Sequence, residues 1–288
     1  MSKSLEQLVS ATSSIVSPPD LYYRMEEKIS DPTCSLDGVG EILQEDPGLT
    51  ARLLRIANSP FYGFTHPVTT ITRALATIGV KQLRDLVLAS SMVNMFKEAP
   101  SDLIDLDAFW RHSVTCGLVA RTVAVFRKEN NVESFYVTGL LHDLGRLVLL
   151  QMEPEAFRES MKHANNCGML LYEAEREIMG FNHAELGGAL LRHWNLPTGL
   201  YLPIACHHMP DEGVEYPIES AIIHLSDVIA HAMAIGASGE VFIPPLSPEA
   251  WDLIGFPANE IRLVVQQVDR QFEDAIQMFE GEEAQGAA

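Results

Sequence analysis

No apolar run in the 288-residue sequence approaches the length of about 18 residues that a membrane-spanning helix needs. The opening residues, Met1-Ser2-Lys3-Ser4-Leu5-Glu6, carry no signal-peptide core. Cysteine is sparse: Cys34, Cys116, Cys167 and Cys206 lie far apart with no paired spacing, which excludes a zinc ribbon or a disulfide framework. These absences predict a cytoplasmic protein with no membrane partner. Basic residues are scarce as well. Lys plus Arg number 20 against 39 Asp plus Glu, a formal net charge of −19. A field of that sign repels phosphate backbones, and no basic patch offsets it, so no nucleic-acid partner is expected. Thr70 to Met92 could be read as a helix-turn-helix, but the charge argues against DNA. Hydrophobic residues at 47% exclude a largely disordered chain.

Short alternating β-branched runs and internal repeats are also missing, while helical periodicity is present nearly everywhere. The first ninety residues read as stacked short helices. Leu49, Leu53, Leu54, Ile56 and Ala57 form a stripe behind Pro47, which suits a first helical turn. Further helices are predicted over 70–78 and 81–96, hinged at Gly79, and over 105–128, 132–150, 154–164, 170–179, 183–194, 197–208, 218–234 and 258–279. The expected fold class is all-α and two-lobed. Ala99-Pro100-Ser101-Asp102 marks the best boundary, giving an N-terminal helical bundle over 1–100 and a second helical domain over 101–279. Residues 280–288, acidic and poor in apolar side chains, read as a disordered tail.

The ten histidines carry the chemistry. His142-Asp143 sits in an apolar segment, where burying an imidazole beside a carboxylate costs several kcal/mol without compensation. A metal ion would satisfy both; a core histidine bonded to a backbone carbonyl, with Asp143 as a helix cap, would serve equally. His207-His208 closes an apolar helix, where adjacent side chains about 100° apart can address two ions, or simply meet the helix dipole. Asp227 lies mid-helix with His224 and His231 on its face, placed to hold it by hydrogen bonds. His112 and His183 complete the set. His112, His142, Asp143, His183, His207, His208 and Asp227 together make a nitrogen- and oxygen-rich group without thiolate, suited to Fe, Mn, Ni or Zn. A shared Asp is the usual bridge in two-metal sites.

This ordered constellation resembles the HD superfamily of metal-dependent phosphohydrolases. Over about Leu21 to Ala234 the chain is similar to HDOD proteins, the signalling branch related to HD-GYP cyclic-di-GMP phosphodiesterases. Asp46-Pro47-Gly48-Leu49-Thr50, then Leu53-Leu54-Arg55-Ile56-Ala57-Asn58-Ser59 and Phe61-Tyr62-Gly63, match the HDOD signature, with Ile71 to Gly79 as its next helix. Gly139-Leu140-Leu141-His142-Asp143-Leu144-Gly145 matches the core motif. The resemblance implies two divalent transition-metal ions, with iron foremost. His112, His142, Asp143 and Asp227 would hold one, and Asp143 would bridge to a second held by His183, His207 and His208. Departures are equally plain. Arg146 stands where HD-GYP enzymes have a lysine; it can grip phosphate but is unsuited to donating a proton, so it is the candidate phosphate clamp. Ala108 replaces an acid that would serve a third metal. In His207 to Pro217, which resembles an eroded GYP loop, Met209 replaces a Glu and Glu215 a Gly.

The favoured reading is a signalling or regulatory module that acts through protein partners, with the segment Asn58 to Gly63 as candidate contact or as an inter-lobe plug. The alternative is a phosphohydrolase or phosphodiesterase acting on a nucleotide or cyclic dinucleotide. A di-iron redox or dioxygen sensor is the third.

Overall fold

The computed structural model describes residues 3–15, 19–58, 62, 64–96 and 102–277. Among the described residues there is no strand, and no helix is long and apolar enough to cross a membrane. The predicted tail 280–288, the boundary residues 99–101 and most of the segment 59–63 lie outside them. The chain divides into two compact units. One comprises Met1–Pro18 with Phe96–Val268, the other Pro19–Met95 with Asp269–Ala288. This division differs from a single cut at residue 100. Helix α1 (Leu5–Ile15) buries Leu8 and Val9 and packs within the larger unit, so the first residues go with the site-bearing part of the chain.

The smaller unit holds α2 (Asp20–Ser30), α3 (Leu36–Gln44), α4 (Pro47–Asn58), α5 (Ile71–Ile78) and α6 (Val80–Met95). Its HDOD-like motifs have structural work. Asp46 Oδ1 accepts the Leu49 N–H at 2.9 Å and so caps the helix that Pro47 opens. Asn58 donates to the carbonyls of Leu54 and Val68 and accepts the Val68 N–H, all at 2.7 Å, closing the connection from α4 to α5. Gly79, at φ 106°, makes the turn from α5 to α6 in a region that favours glycine. Arg84 is half-buried and pairs with Asp85 at 2.6 Å and with Glu26, with its guanidinium 5.6 Å from the Tyr22 ring centroid.

The larger unit adds α7 (Leu106–Arg127), α8 (Val132–Leu141), α9 (Leu144–Met152), α10 (Pro154–Cys167), α11 (Leu171–Met179), α12 (His183–His193), α13 (Thr198–Ala205), α14 (Pro217–Met233) and α15 (Pro248–Ile254). Helix α16 (Ile261–Gln277) crosses the division between the units. Helix α7 is surrounded: Phe109, Val114, Leu118, Val119 and Val123 are all buried, each contributing about 1.5–3 kcal/mol of transfer free energy. Helix α8 packs along it, most closely at a glycine pair. A Cβ on Gly139 would lie 2.9 Å from Gly117 Cα and 3.0 Å from the Cys116 carbonyl oxygen.

Two predicted helices are interrupted, and both interruptions serve the site. The expected helix over 132–150 breaks at His142-Asp143, where Asp143 leaves helical geometry (φ −95°, ψ 9°) before α9 begins. The expected helix over 197–208 ends at Ala205, and Cys206 to Met209 form a turn. His142 Nδ1 donates to the Gly139 carbonyl at 2.7 Å and His207 Nδ1 to the Ile204 carbonyl at 2.8 Å. Each ring thus caps the helix it leaves.

Candidate metal centre

The seven expected residues come together from five parts of the larger unit. His112 projects from the middle of α7, and His142-Asp143 from the break between α8 and α9. His183 is the first residue of α12, His207-His208 follow α13, and Asp227 lies mid-α14. All are buried, and His208 is the most exposed at 9%. Asp143 is central. Its Oδ1 lies 2.9 Å from His183 Nε2 and 3.9 Å from His207 Nε2. Its Oδ2 lies 3.4 Å from His142 Nε2 and 3.9 Å from His112 Nε2. Asp227 Oδ1 sits 3.3 Å from the Nε2 of His112, of His142 and of His231.

The ring nitrogens turned away from the cluster are tied down where the chain can reach them. Because Nδ1 of His142 and of His207 donates to a backbone carbonyl, Nε2 of each is the nitrogen presented inward. His183 Nδ1 donates to Glu175 Oε2 at 2.6 Å, and the same oxygen accepts the His183 backbone N–H at 2.8 Å. Glu175 is 0% exposed and is a residue that the sequence motifs do not single out. A signal exists nonetheless: Leu171, Glu175 and Met179 repeat at i, i+4, i+8 on the buried stripe of α11, a position where a carboxylate needs a partner. His224 does not hold Asp227, as its spacing suggested. Its Nδ1 donates to the His207 carbonyl at 2.7 Å and its Nε2 accepts the Ser247 N–H at 2.9 Å, so it fixes the turn that carries His207-His208.

Arg146, expected as a phosphate clamp, is buried with its Nη1 donating to Asp143 Oδ2 at 3.1 Å, to the Ser238 carbonyl at 3.0 Å and to the Ser238 hydroxyl. Nη1 thus ties Arg146 to Asp143 and to the 238 turn, while its Nε is buried without a hydrogen-bond partner. At the position of the missing acid, the Ala108 carbonyl accepts the Ala237 N–H at 2.9 Å. A Cβ on Gly236 would stand 2.2 Å from that same carbonyl oxygen, so this turn seats directly on α7. Met209 and Glu215 of the GYP-like loop are both exposed.

Electrostatics divides the imidazoles. Burial lowers His112 to about 4 and His207 to about 3, and pushes His208 well below its ordinary value. Burial acts the same way on His142, but the Asp143 carboxylate outweighs it and holds the pKa well above the usual range. In His183, Glu175 and Asp143 outweigh burial and the Arg146 charge, with a raised pKa as the result. Burial would raise both carboxyls, yet Arg146 and His142 hold Asp143 low, and His231 and His112 hold Asp227 low.

The decisive feature is what these atoms lack. His112 Nδ1 and Nε2, His142 Nε2, His207 Nε2, His208 Nδ1, Asp143 Oδ1 and Asp227 Oδ1 are buried and make no hydrogen bond. Orphaned polar atoms each cost about 1–3 kcal/mol, and so many in one place call for partners that the chain itself does not supply. Their donor atoms fall into sets within 4.8 Å of one another, among them His112-His142-Asp143 and His183-His207-His208. This imidazole-carboxylate set fits a transition metal and lacks the all-oxygen character that Mg²⁺ or Ca²⁺ prefers. Glu175→Gln preserves shape while removing the charge behind His183. It is expected to weaken metal retention about 10–100-fold in a chelator competition, with the fold intact by circular dichroism.

Comparison with known proteins places the fold. The HDOD domain family model matches residues 15–210. A crystal structure of an HDOD domain protein of unknown function from Geobacter sulfurreducens is 26% identical, with 95% of this chain and 97% of that one covered and a TM-score of 0.74. A Shewanella amazonensis SB2B protein, whose name proposes a phosphohydrolase, shares the fold at 23% identity, 96% and 97% coverage and a TM-score of 0.72. An uncharacterized protein of Treponema pallidum (strain Nichols) is 24% identical over 207 residues, 71% of this chain; the chain spans about 40% of that relative's length. The family match covers well over half of the sequence, and the chain belongs to the HDOD domain family.

Proposed function

We propose that this chain is an HDOD signalling or regulatory module whose buried centre holds two transition-metal ions and which acts through protein partners. The observation that carries the reading is the group of seven buried, unbonded donor atoms around Asp143 and Asp227. In this reading His112, His142, Asp143 and Asp227 hold one ion. His183, His207 and His208 hold the other, with Asp143 shared between them. The absence of thiolate and the abundance of imidazole favour iron, with Mn, Ni and Zn as competitors. When bound, such ions supply Lewis acidity and, if iron, a redox couple. The chain's own groups do the rest: Glu175 fixes the His183 tautomer, Arg146 orients Asp143, and His224 anchors the turn of His207-His208.

Two features favour regulation over phosphodiester hydrolysis. Arg146 is buried, and its Nη1 is tied to Asp143 and to the 238 turn. A cavity of roughly 340 Å³ reaches the centre beside His208, between Tyr172, whose ring stacks on His208 at 4.1 Å, and the Pro244-Pro245 segment. Its walls carry Asp211 and Glu249 and, among the described residues, no Lys or Arg. An approaching phosphate would meet carboxylates. The hydrolytic alternative keeps one point in its favour, the presence of all seven residues.

Elemental analysis of protein purified without chelator or affinity metal tests the metal reading. About two ions per chain are expected, and none in the His142→Ala/Asp143→Ala double variant; a metal-free wild type would overturn it. The same metal-loaded protein should leave cyclic dinucleotides and nucleotides intact. Turnover that His142→Ala abolishes would replace the regulatory reading with the hydrolytic one.

A further inference from the structure

We infer that His231 is a direct ligand of the ion held between α7 and α14, a role beyond the seven residues that the family resemblance implies. This rests on the metal reading above. Helix α14 presents Asp227 and His231 one turn apart on one face, the i, i+4 spacing with which a single helix offers two donors to one cation. His231 Nε2 lies 3.3 Å from Asp227 Oδ1, as does the Nε2 of His112 across the helix pair. The rings of His112 and His231 are 4.4 Å apart at 44°, tilted toward each other rather than stacked. Donor atoms of His112, Asp227 and His231 all fall within 4.8 Å of one another, a set of the same quality as His112-His142-Asp143. Neither ring nitrogen of His112 has a hydrogen bond.

A hydrogen bond to Asp227 alone would leave that set unexplained. If His231 only supported the carboxylate, His112 would still be buried with two unbonded nitrogens facing another imidazole. An ion among the three would give one His112 nitrogen, Asp227 and His231 a shared partner. The geometry also answers the missing acid on α7. Position 108 offers only a methyl group and a carbonyl that is already taken by Ala237, and α14 supplies an imidazole on that side of the pair instead. The consequence is a nitrogen-richer first position, with imidazoles from both α7 and α14, which selects further against Mg²⁺ and Ca²⁺. It also leaves fewer coordination positions open to an incoming ligand.

Cobalt(II) loaded into the full chain supplies the test, because its visible bands report ligand number and type without any assay of activity. His231→Ala should change the position and intensity of those bands and release part of the cobalt about 10–100-fold more readily. Added imidazole, entering the space left by the side chain, should restore the wild-type spectrum. His231→Gln can still donate a hydrogen bond to Asp227 but offers no imidazole; it should behave like the Ala variant, and it carries the test if the Ala variant does not fold. A Gln variant with the wild-type spectrum and retention overturns the proposal and leaves His231 as a hydrogen-bonding support. A wild type that takes up no cobalt fails earlier, at the metal reading itself. Retained metal with an unchanged spectrum in both variants fails only at His231.

Discussion

Stripping the metal should lower the melting temperature by about 5–10 °C, and restoring it should recover the loss. The size follows from linkage. An ion at about 100 times its dissociation constant stabilises the folded state by roughly 2.7 kcal/mol. In a unit of this size each kcal/mol moves the midpoint by about 2–4 °C. The structural cause is the buried group of unbonded donors around Asp143 and Asp227, which loses its common partner on chelation. Retention should also fall in acid. The carboxylates raise His142 and His183 above their ordinary pKa, so protons compete with an entering ion for these two rings more strongly than for a free imidazole. Apparent affinity should then fall by about tenfold per pH unit for each proton displaced, as the pH drops below the raised values. Differential scanning fluorimetry with and without chelator, and chelator competition between pH 8 and pH 6, give both numbers. An unchanged melting temperature in chelator, with metal demonstrably removed, would mean that hydrogen bonds alone sustain the centre.

Much of this was legible in the residues. The all-α class follows from 3.6-residue periodicity with no alternating runs, and the donors of the centre were recognisable as polar side chains set in apolar helices. The spacing of Asp227 and His231 was visible too, but spacing cannot tell a supporting hydrogen bond from a ligand. What stayed hidden has physical causes. His142-Asp143 and His207-His208 lie in stretches whose apolar pattern continues unbroken, so periodicity ran the helices straight through them. The breaks arise because each imidazole captures the carbonyl of the residue three before it, a competition between side chain and ladder that no hydrophobic pattern records. Helix α15, only seven residues long from Pro248 behind the Ser247 cap, is too short for its pattern to register.

Arg146 and His224 show the same limit from the other side. Their residue types suit phosphate binding and carboxylate support, and both assignments were chemically sound. The fold brings the turn at Ser238 against Arg146 and the His207 carbonyl against His224, through chain separations of 92 and 17 residues. Partner choice for a long or two-ended polar side chain is set by tertiary proximity, which local sequence does not contain. Glu175 is the intermediate case. Its burial was readable from the stripe on α11, while its partner His183, eight residues on, depended on how α11 turns into α12.

Gly145→Ala should be the most damaging single methyl group in the larger unit. A Cβ at that position would lie 2.0 Å from the His183 carbonyl oxygen, 2.8 Å from its carbon and 3.0 Å from the Gly187 nitrogen. All three are backbone atoms of α12 or its first residue, so no side chain can swing aside. The helices must separate, and the separation moves His183 away from Asp143, which immediately precedes α9. A cost above about 4 kcal/mol is expected, beyond the roughly 1–3 kcal/mol usual for overpacking, because the obstructing atoms are backbone. Metal retention should fall with it, because the same contact sets the distance between Asp143 and His183. Gly168→Ala is the control. Gly168 has a φ of 64° at the end of α10 but nothing within 4 Å of its would-be Cβ, so only the left-handed strain remains, about 1–2 kcal/mol. It should melt a few degrees lower and keep its metal. Urea titration and elemental analysis of the two variants together separate packing from backbone strain. A Gly145→Ala protein as stable as Gly168→Ala, with full metal content, would refute the close α9–α12 contact on which the centre's geometry depends.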